Sequence, residues 1–177
     1  MSETIIRVAT DADVPQLQAL IARSARGLAA GFYSPEEAEA AIAHVFGVDK
    51  LLIQDETYFV AEVDGVPVGC GGWSYRETMF GGDQFTDRSP ARIDPATGAA
   101  RIRAFFIDPG QARSGLGSRL LAHCEAAAAA DGFTRCTLVA TMPGQPFYAA
   151  RGYVAVEPVV LTFDAVDVRF VRMDKAL

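Results

Sequence analysis

The segment Asp108-Pro-Gly-Gln-Ala-Arg-Ser-Gly-Leu-Gly117 carries the strongest chemical signal in the sequence. It follows an apolar and aromatic stretch, Arg101 to Ile107, and opens a helical pattern that runs from Gly115 to Ala130. Two glycines one residue apart at a strand-to-helix turn let the backbone curl without Cβ clashes. The N–H groups freed by such a turn, with the positive end of the helix dipole, form an anion cradle. Arg113 adds a mobile positive charge beside it. Phosphate or pyrophosphate is the natural guest. Gly115-x-Gly117 is not the dinucleotide fingerprint, which needs a third glycine, and it is not a P-loop, because no Gly-Lys-Ser/Thr follows. Glycine pairs before helices also serve plain packing, so the loop alone does not decide.

No other constellation competes with it. His44 and His123 stand alone and far apart, and Cys124 and Cys136 lack metal-ligand spacing, so no metal is expected. The three cysteines, with Cys70, read as small buried hydrophobes in a reducing compartment. No Ser/His/Asp or Cys/His arrangement is convincing. Of the 177 residues, 50% are hydrophobic and 21% charged, which excludes a disordered or fibrous chain and fits one domain spanning 1–177. A net charge of −6 argues against a nucleic-acid binder, and it is compatible with a cationic substrate. The N-terminus has no basic and apolar leader, and the longest low-charge helical run, Ala126 to Ala130, is too short to cross a bilayer. A cytoplasmic protein with no membrane partner is expected.

The elements that must position the loop follow from spacing. Ile5 to Val8 is a short strand. Thr10-Asp-Ala-Asp13 is a capping box, and Val14, Leu17, Ile21 and Leu28 predict a helix to about Arg26. Ser34-Pro-Glu-Glu37 opens a second helix, which Gly47 stops. Thr57 to Val63 and Val66 to Tyr75 form a hairpin around Asp64-Gly65. Gly69, Gly71 and Gly72 are costly inside a strand, and they mark either a bulge or a close approach by a ligand or another backbone. Arg76 to Ala99 has no periodicity and is long for a connection. After the cradle helix come a strand, Thr134 to Ala140, a helical turn, Pro146 to Ala150, and a final hairpin, Val154 to Leu161 with Val166 to Met173.

The order is strand, glycine turn, helix, strand, Phe147-Tyr148 helix, Gly152, strand. It resembles the GNAT superfamily of acetyl-CoA-dependent N-acyltransferases over nearly the whole chain, most strongly from Ile102 to Tyr153. Gly115 and Gly117 match the glycines of that family's Gln/Arg-x-x-Gly-x-Gly/Ala loop. Ala112 departs at its first position, although Arg113 stands next to it. Pro146-Phe-Tyr-Ala-Ala-Arg-Gly-Tyr153 is similar to the family's Phe-Tyr-x-x-x-Gly-Phe/Tyr segment. Trp73 reads as core, and the Ala126 to Ala130 run as a solvated helix face.

The resemblance implies an α/β (α+β) fold with a mixed, mostly antiparallel sheet of six to seven strands flanked by helices. That sheet would be splayed open after Ile107 to admit CoA. It implies acetyl transfer from acetyl-CoA to a primary amine on a small molecule or peptide. Phe106 and Ile107 would offer backbone groups to the pantetheine arm. Ala112, Arg113, Ser114 and Gly115, with Leu116, Gly117 and Ser118, would hold the pyrophosphate. Thr141 would lie near the arm, Phe147 would pack on it, and Tyr148 would protonate the leaving thiolate. Direct transfer needs proximity, an oxyanion donor and a leaving-group acid, and a phenol has suitable acidity.

The acceptor site is expected where the Leu28 to Ser34 turn, with Phe32 and Tyr33, meets the Arg76 to Ala99 insertion, with Tyr75 nearby. No general base is identifiable among Glu62, Asp64, Tyr75, Glu77, Asp83 and Asp87. The final hairpin could pair across a homodimer. Two alternatives stay open: a non-catalytic acyl-CoA-binding or sensing domain of the same fold, and an unrelated phosphate-binding α/β domain.

Overall fold

Seven strands build one sheet in the order β1-β2-β3-β4-β5-β7-β6. The computed structural model describes residues 2–177. The strands are β1 (Thr4–Val8), β2 (Tyr58–Val63), β3 (Val66–Ser74), β4 (Ala100–Ile107), β5 (Arg135–Thr141), β6 (Val154–Phe163) and β7 (Val166–Ala176). All neighbours are antiparallel except β4 and β5. The helices are α1 (Val14–Leu28), α2 (Pro35–His44), α3 (Lys50–Gln54), α4 (Leu116–Ala130) and α5 (Gln145–Ala149). The short α3, capped by Asp49 through the Leu51 N–H at 2.9 Å, has no periodic signal long enough to show in the sequence.

Alternation along the strands assigns the two faces. On β2, Phe59 packs toward α4, whereas Tyr58 and Val60 pack toward α1 and α3. On α4, Leu116, Leu120, Cys124 and Ala128 are all buried at helical spacing. Ala128 is therefore core, and only part of the alanine run is the solvated face expected for it. Trp73 is core as well, set between Phe133 and Tyr75.

On α1, Leu17, Leu20 and Ile21 are fully buried. Each contributes roughly 1.5–3 kcal/mol, which outweighs the roughly 1 kcal/mol helix penalty of Gly27. Gly27 is there for packing: a Cβ at that position would lie 2.4 Å from Pro109 Cγ. Arg23 Nε also donates to Asp108 at 2.8 Å, so α1 is tied to the start of the cradle loop twice.

The sheet opens between its two parallel strands. β4 and β5 pair only at Ala100–Cys136 and Arg101–Thr137. The parting therefore begins right after Arg101, not after Ile107 as the resemblance led us to expect. A bulge in β4 accompanies it. Ala104 takes a left-handed φ of 47°, and the register with β3 shifts between Cys70 and Gly72. The bulge swings Phe105 onto Gly71, where a Cβ would sit 2.4 Å from the ring. Gly72 lies against Thr57 of the neighbouring strand edge, again at 2.4 Å for a built Cβ. The glycine run thus accommodates a bulge and two close approaches from within the protein.

These contacts rank the glycines. Gly72→Ala would press a methyl on a backbone carbonyl that also accepts the Trp73 N–H at 3.1 Å. It should destabilise by about 1–3 kcal/mol in urea denaturation. Gly69→Ala meets only the tip of Ile107 at 3.0 Å and should cost less.

Candidate active site

The wedge between β4 and β5 is the floor of a cavity of about 770 Å³. One end is closed by the glycine loop and α5, the other by α1, the turn after it and the start of the long insertion.

At the loop end, Arg113 and Gly115 both have positive φ, 63° and 85°, with Ser114 between them. Left-handed residues alternating in this way turn successive N–H groups to one side. The N–H groups of Arg113, Gly115, Gly117 and Ser118 have no hydrogen-bond partner among the described residues. A Cβ on Gly115 would meet nothing within 4 Å, so the space over the loop is open. Gly117 serves a different purpose: its Cβ would lie 2.9 Å from the Phe147 ring.

Ala112, Arg113, Gly115, Gly117 and Ser118 face the cavity. Ser114 instead braces the loop, its Oγ donating to the Gln111 carbonyl at 2.7 Å and accepting from the Leu116 N–H at 3.3 Å. Leu116 turns its side chain into the core.

On the cleft walls lie Phe106 and Ile107 from β4, Thr141 from the end of β5, and Phe147 and Tyr148 from α5. Thr141 Oγ1 accepts the Gly144 N–H at 3.0 Å and so shapes the turn into α5. Phe105 bridges the walls, with its ring 5.9 Å from Phe147 and 6.1 Å from Tyr148. Tyr148 is buried, and its hydroxyl has no hydrogen-bond partner among the described residues. Burial holds its phenol well above the ordinary value near 10, with a lesser push from Cys124. A phenol so placed keeps its proton at neutral pH.

Arg151 was not singled out from the sequence. Its guanidinium lies 3.8 Å over the Phe147 ring, donates from Nε to Ser118 Oγ at 2.8 Å and from Nη1 to the Phe147 carbonyl at 2.7 Å. It pins α5 to the first turn of α4 and puts a second cation beside the cradle. Only its place one residue before Gly152 could have hinted at this.

At the far end, Phe32 and Tyr33 face the cavity together with Met79 and Phe80 of the insertion. Tyr33 is fixed, donating to the Arg169 carbonyl and accepting the Met142 N–H at 3.0 Å. Tyr75 does not reach the cavity. It lies beyond Trp73 under Arg92, because the chain leaves the sheet at Ser74 before the insertion turns inward. None of the possible bases lines the cavity either. Glu62 pairs with Arg7, Glu77 accepts from Ser89, Asp83 meets Lys50 and Arg88, and Asp64 and Asp87 are exposed. His44 stacks on Phe163 and His123 stands edge-on to Phe59, both away from the site. Among the described residues no cluster of three metal-ligating side chains occurs. None of their helices is long and apolar enough to cross a membrane.

A family model for the acetyltransferase (GNAT) family matches residues 21–153. The chain belongs to that family. Its fold is similar to a GCN5-related N-acetyltransferase from Rhodopseudomonas palustris, with a TM-score of 0.73 and 22% identity over 100% of this chain and 98% of that one. It is also similar to the PaiA N-acetyltransferase from Thermoplasma acidophilum in complex with coenzyme A, with a TM-score of 0.64 and 18% identity over 99% of both chains. A GNAT family acetyltransferase from Brucella melitensis in complex with acetyl-CoA gives a TM-score of 0.56 and 17% identity over 88% of this chain and 85% of that one. A search of curated protein sequences returned no match.

All five tyrosines have their phenols pushed up, chiefly by burial, Tyr33 to about 12. Groups whose folded pKa is raised add stability that is fully present below the unfolded pKa and is lost as pH rises above it. The native protein should therefore show little phenolate absorbance at about pH 10, and its stability should fall as pH climbs beyond that. A stepwise rise in phenolate near pH 10 with the fold intact would contradict these environments.

Proposed function

We propose that the protein transfers an acetyl group directly from acetyl-CoA to a primary amine, with Tyr148 as the acid that protonates the leaving thiolate. The observation that carries this reading is one cavity with an anion cradle at one end and an unpartnered, proton-retaining phenol on its wall. The open space over Gly115 and the four free N–H groups fit a pyrophosphate, and Arg113 and Arg151 add charge complementarity. The unpaired edges of β4 and β5 leave backbone groups for an extended, amide-containing arm. Membership in the acetyltransferase family and similarity to proteins solved with coenzyme A or acetyl-CoA support the same donor.

The residues divide the work. The cradle and Arg151 anchor the donor, and Phe105 and Phe147 exclude water from the thioester. The acceptor nitrogen forms a bond to the carbonyl carbon, the carbon–sulfur bond breaks, and the electron pair leaves on sulfur. Tyr148 delivers its proton there. No covalent intermediate on the protein is needed.

Tyr148→Phe keeps the ring and loses no hydrogen bond inside the protein. It should lower kcat by about 10²–10⁴-fold with acetyl-CoA affinity and melting temperature nearly unchanged. Unchanged kcat with an acceptor found by mass spectrometry would make Tyr148 a packing residue. Gly115→Asp tests the cradle: aspartate tolerates left-handed backbone better than most residues, so the fold should persist while a carboxylate meets the phosphates. Calorimetry should show CoA binding weakened roughly 10–100-fold. A stable wild-type protein that binds acetyl-CoA but acetylates nothing in a broad amine screen would favour the binding-domain alternative.

A further inference from the structure

Resting on the acetyl-transfer reading, we propose that the acceptor is an arylamine: an aromatic body with a nitrogen that is uncharged at neutral pH. The far chamber of the cavity has the surface for such a body. Phe80 and Phe170 lie nearly parallel, with ring centroids 6.4 Å apart and an 18° interplanar angle. Phe46 stands edge-on to Phe170 at 6.2 Å and to Phe106 at 5.3 Å. Exposed Phe32 forms part of the rim. Aromatic walls of this kind favour a flat apolar guest through area burial and edge or offset stacking.

The chamber is unsuited to an ammonium group. Among the described residues that line the cavity there is no aspartate, glutamate or lysine, and the charged side chains are Arg103, Arg113 and Arg151. The buried carboxylate behind the wall, Asp49, is fully engaged: Arg103 and Arg88 each hold one oxygen at 3.0 Å, and the Leu51 N–H adds a bond at 2.9 Å. Its oxygens are turned to these partners and not to the chamber. An ammonium here would lie beside the Arg103 guanidinium with no carboxylate among the described lining residues to pair with, which disfavours the charged form. A neutral arylamine avoids that cost.

Ser24 supplies the polar contact a neutral amine needs. It is 2% exposed, lies on the α1 face that lines the cavity, and its hydroxyl has no hydrogen-bond partner among the described residues. Its hydroxyl can accept from an amine N–H.

The proton balance closes without a carboxylate base. The nitrogen lone pair forms the bond to the carbonyl carbon and the sulfur leaves with the electron pair of the broken bond. Tyr148 protonates the sulfur. The proton shed by the acylated nitrogen, strongly acidic when that nitrogen is attached to an aromatic ring, returns through water to the Tyr148 phenolate. The products are an N-aryl acetamide, free CoA and a restored phenol.

The test compares an aniline carrying a para-phenyl group with spermidine and L-lysine, each with acetyl-CoA. CoA release and mass spectrometry read turnover, and calorimetry reads binding of the matching N-aryl acetamide in the presence of CoA. The arylamine should exceed both cationic amines in kcat/KM by at least about 100-fold, and the acetamide should bind. Phe80→Glu, on the half-buried insertion, should lose the arylamine, gain spermidine and leave CoA binding unchanged. Failure of the acetamide to bind to CoA-loaded protein, or preference of the wild type for spermidine or lysine, overturns the arylamine assignment and leaves acetyl transfer standing. Failure of acetyl-CoA itself to bind overturns both.

Discussion

Everything at the site depends on two parallel strands that pair for two residues and then part. β4 keeps β3 on one side and β5 keeps β7 on the other, so neither strand loses its place in the sheet. What they lose is each other beyond Arg101. Unpaired backbone edges inside a protein are costly unless a partner or water reaches them. The cleft turns that cost into a binding surface. The left-handed Ala104 and the glycines opposite it let β4 bend without breaking its ladder to β3, and Tyr58 steadies the bend by donating to the Ala104 carbonyl at 3.0 Å.

The two elements that close one end of the cleft are coupled by packing. Gly117 has no side chain, so Phe147 can lie on the first turn of α4. Arg151 clamps the same junction through the ring, Ser118 and the Phe147 carbonyl. The helix that presents the anion cradle is thereby fixed to the helix that carries Tyr148. Phe105 extends the contact to β4. The glycine loop, the Tyr148 phenol and a strand edge, from three separate segments, are held in one rigid relation. This is what chemistry that relies on proximity requires.

Electrostatics is arranged with equal economy. Arg113 and Arg151 gather at the glycine-loop end of the cavity. The acids are spent elsewhere, on capping loops and holding other arginines. Arg103 is buried only because Asp49 and the carbonyls of Thr78 and Gly81 surround it. That network draws the insertion over the chamber and brings Phe80 to its wall. The acidity of the whole chain, which suggested a cationic substrate, therefore says nothing about the cavity. Net charge sums over a surface, while specificity is set by the few groups that converge.

Local features were legible in the sequence because neighbours along the chain decide them. The capping boxes of Thr10 and Ser34, the glycine turn, the Phe147-Tyr148 helix and the succession of strands and helices along the chain all follow from short-range sterics and periodicity. Gly115 answers to a local need, left-handed backbone at the turn, whereas the need for Gly117, room for the Phe147 ring, arises only in the folded protein. Tertiary structure alone decided where the sheet parts, that Tyr75 turns away while Phe80 turns in, that Arg151 reaches Ser118, and that the chamber is aromatic and free of carboxylates. Each of these depends on side chains far apart in sequence, from α1, the insertion, α5 and β7. Their meeting is fixed by the packing of two sheet faces and leaves no mark in any local pattern.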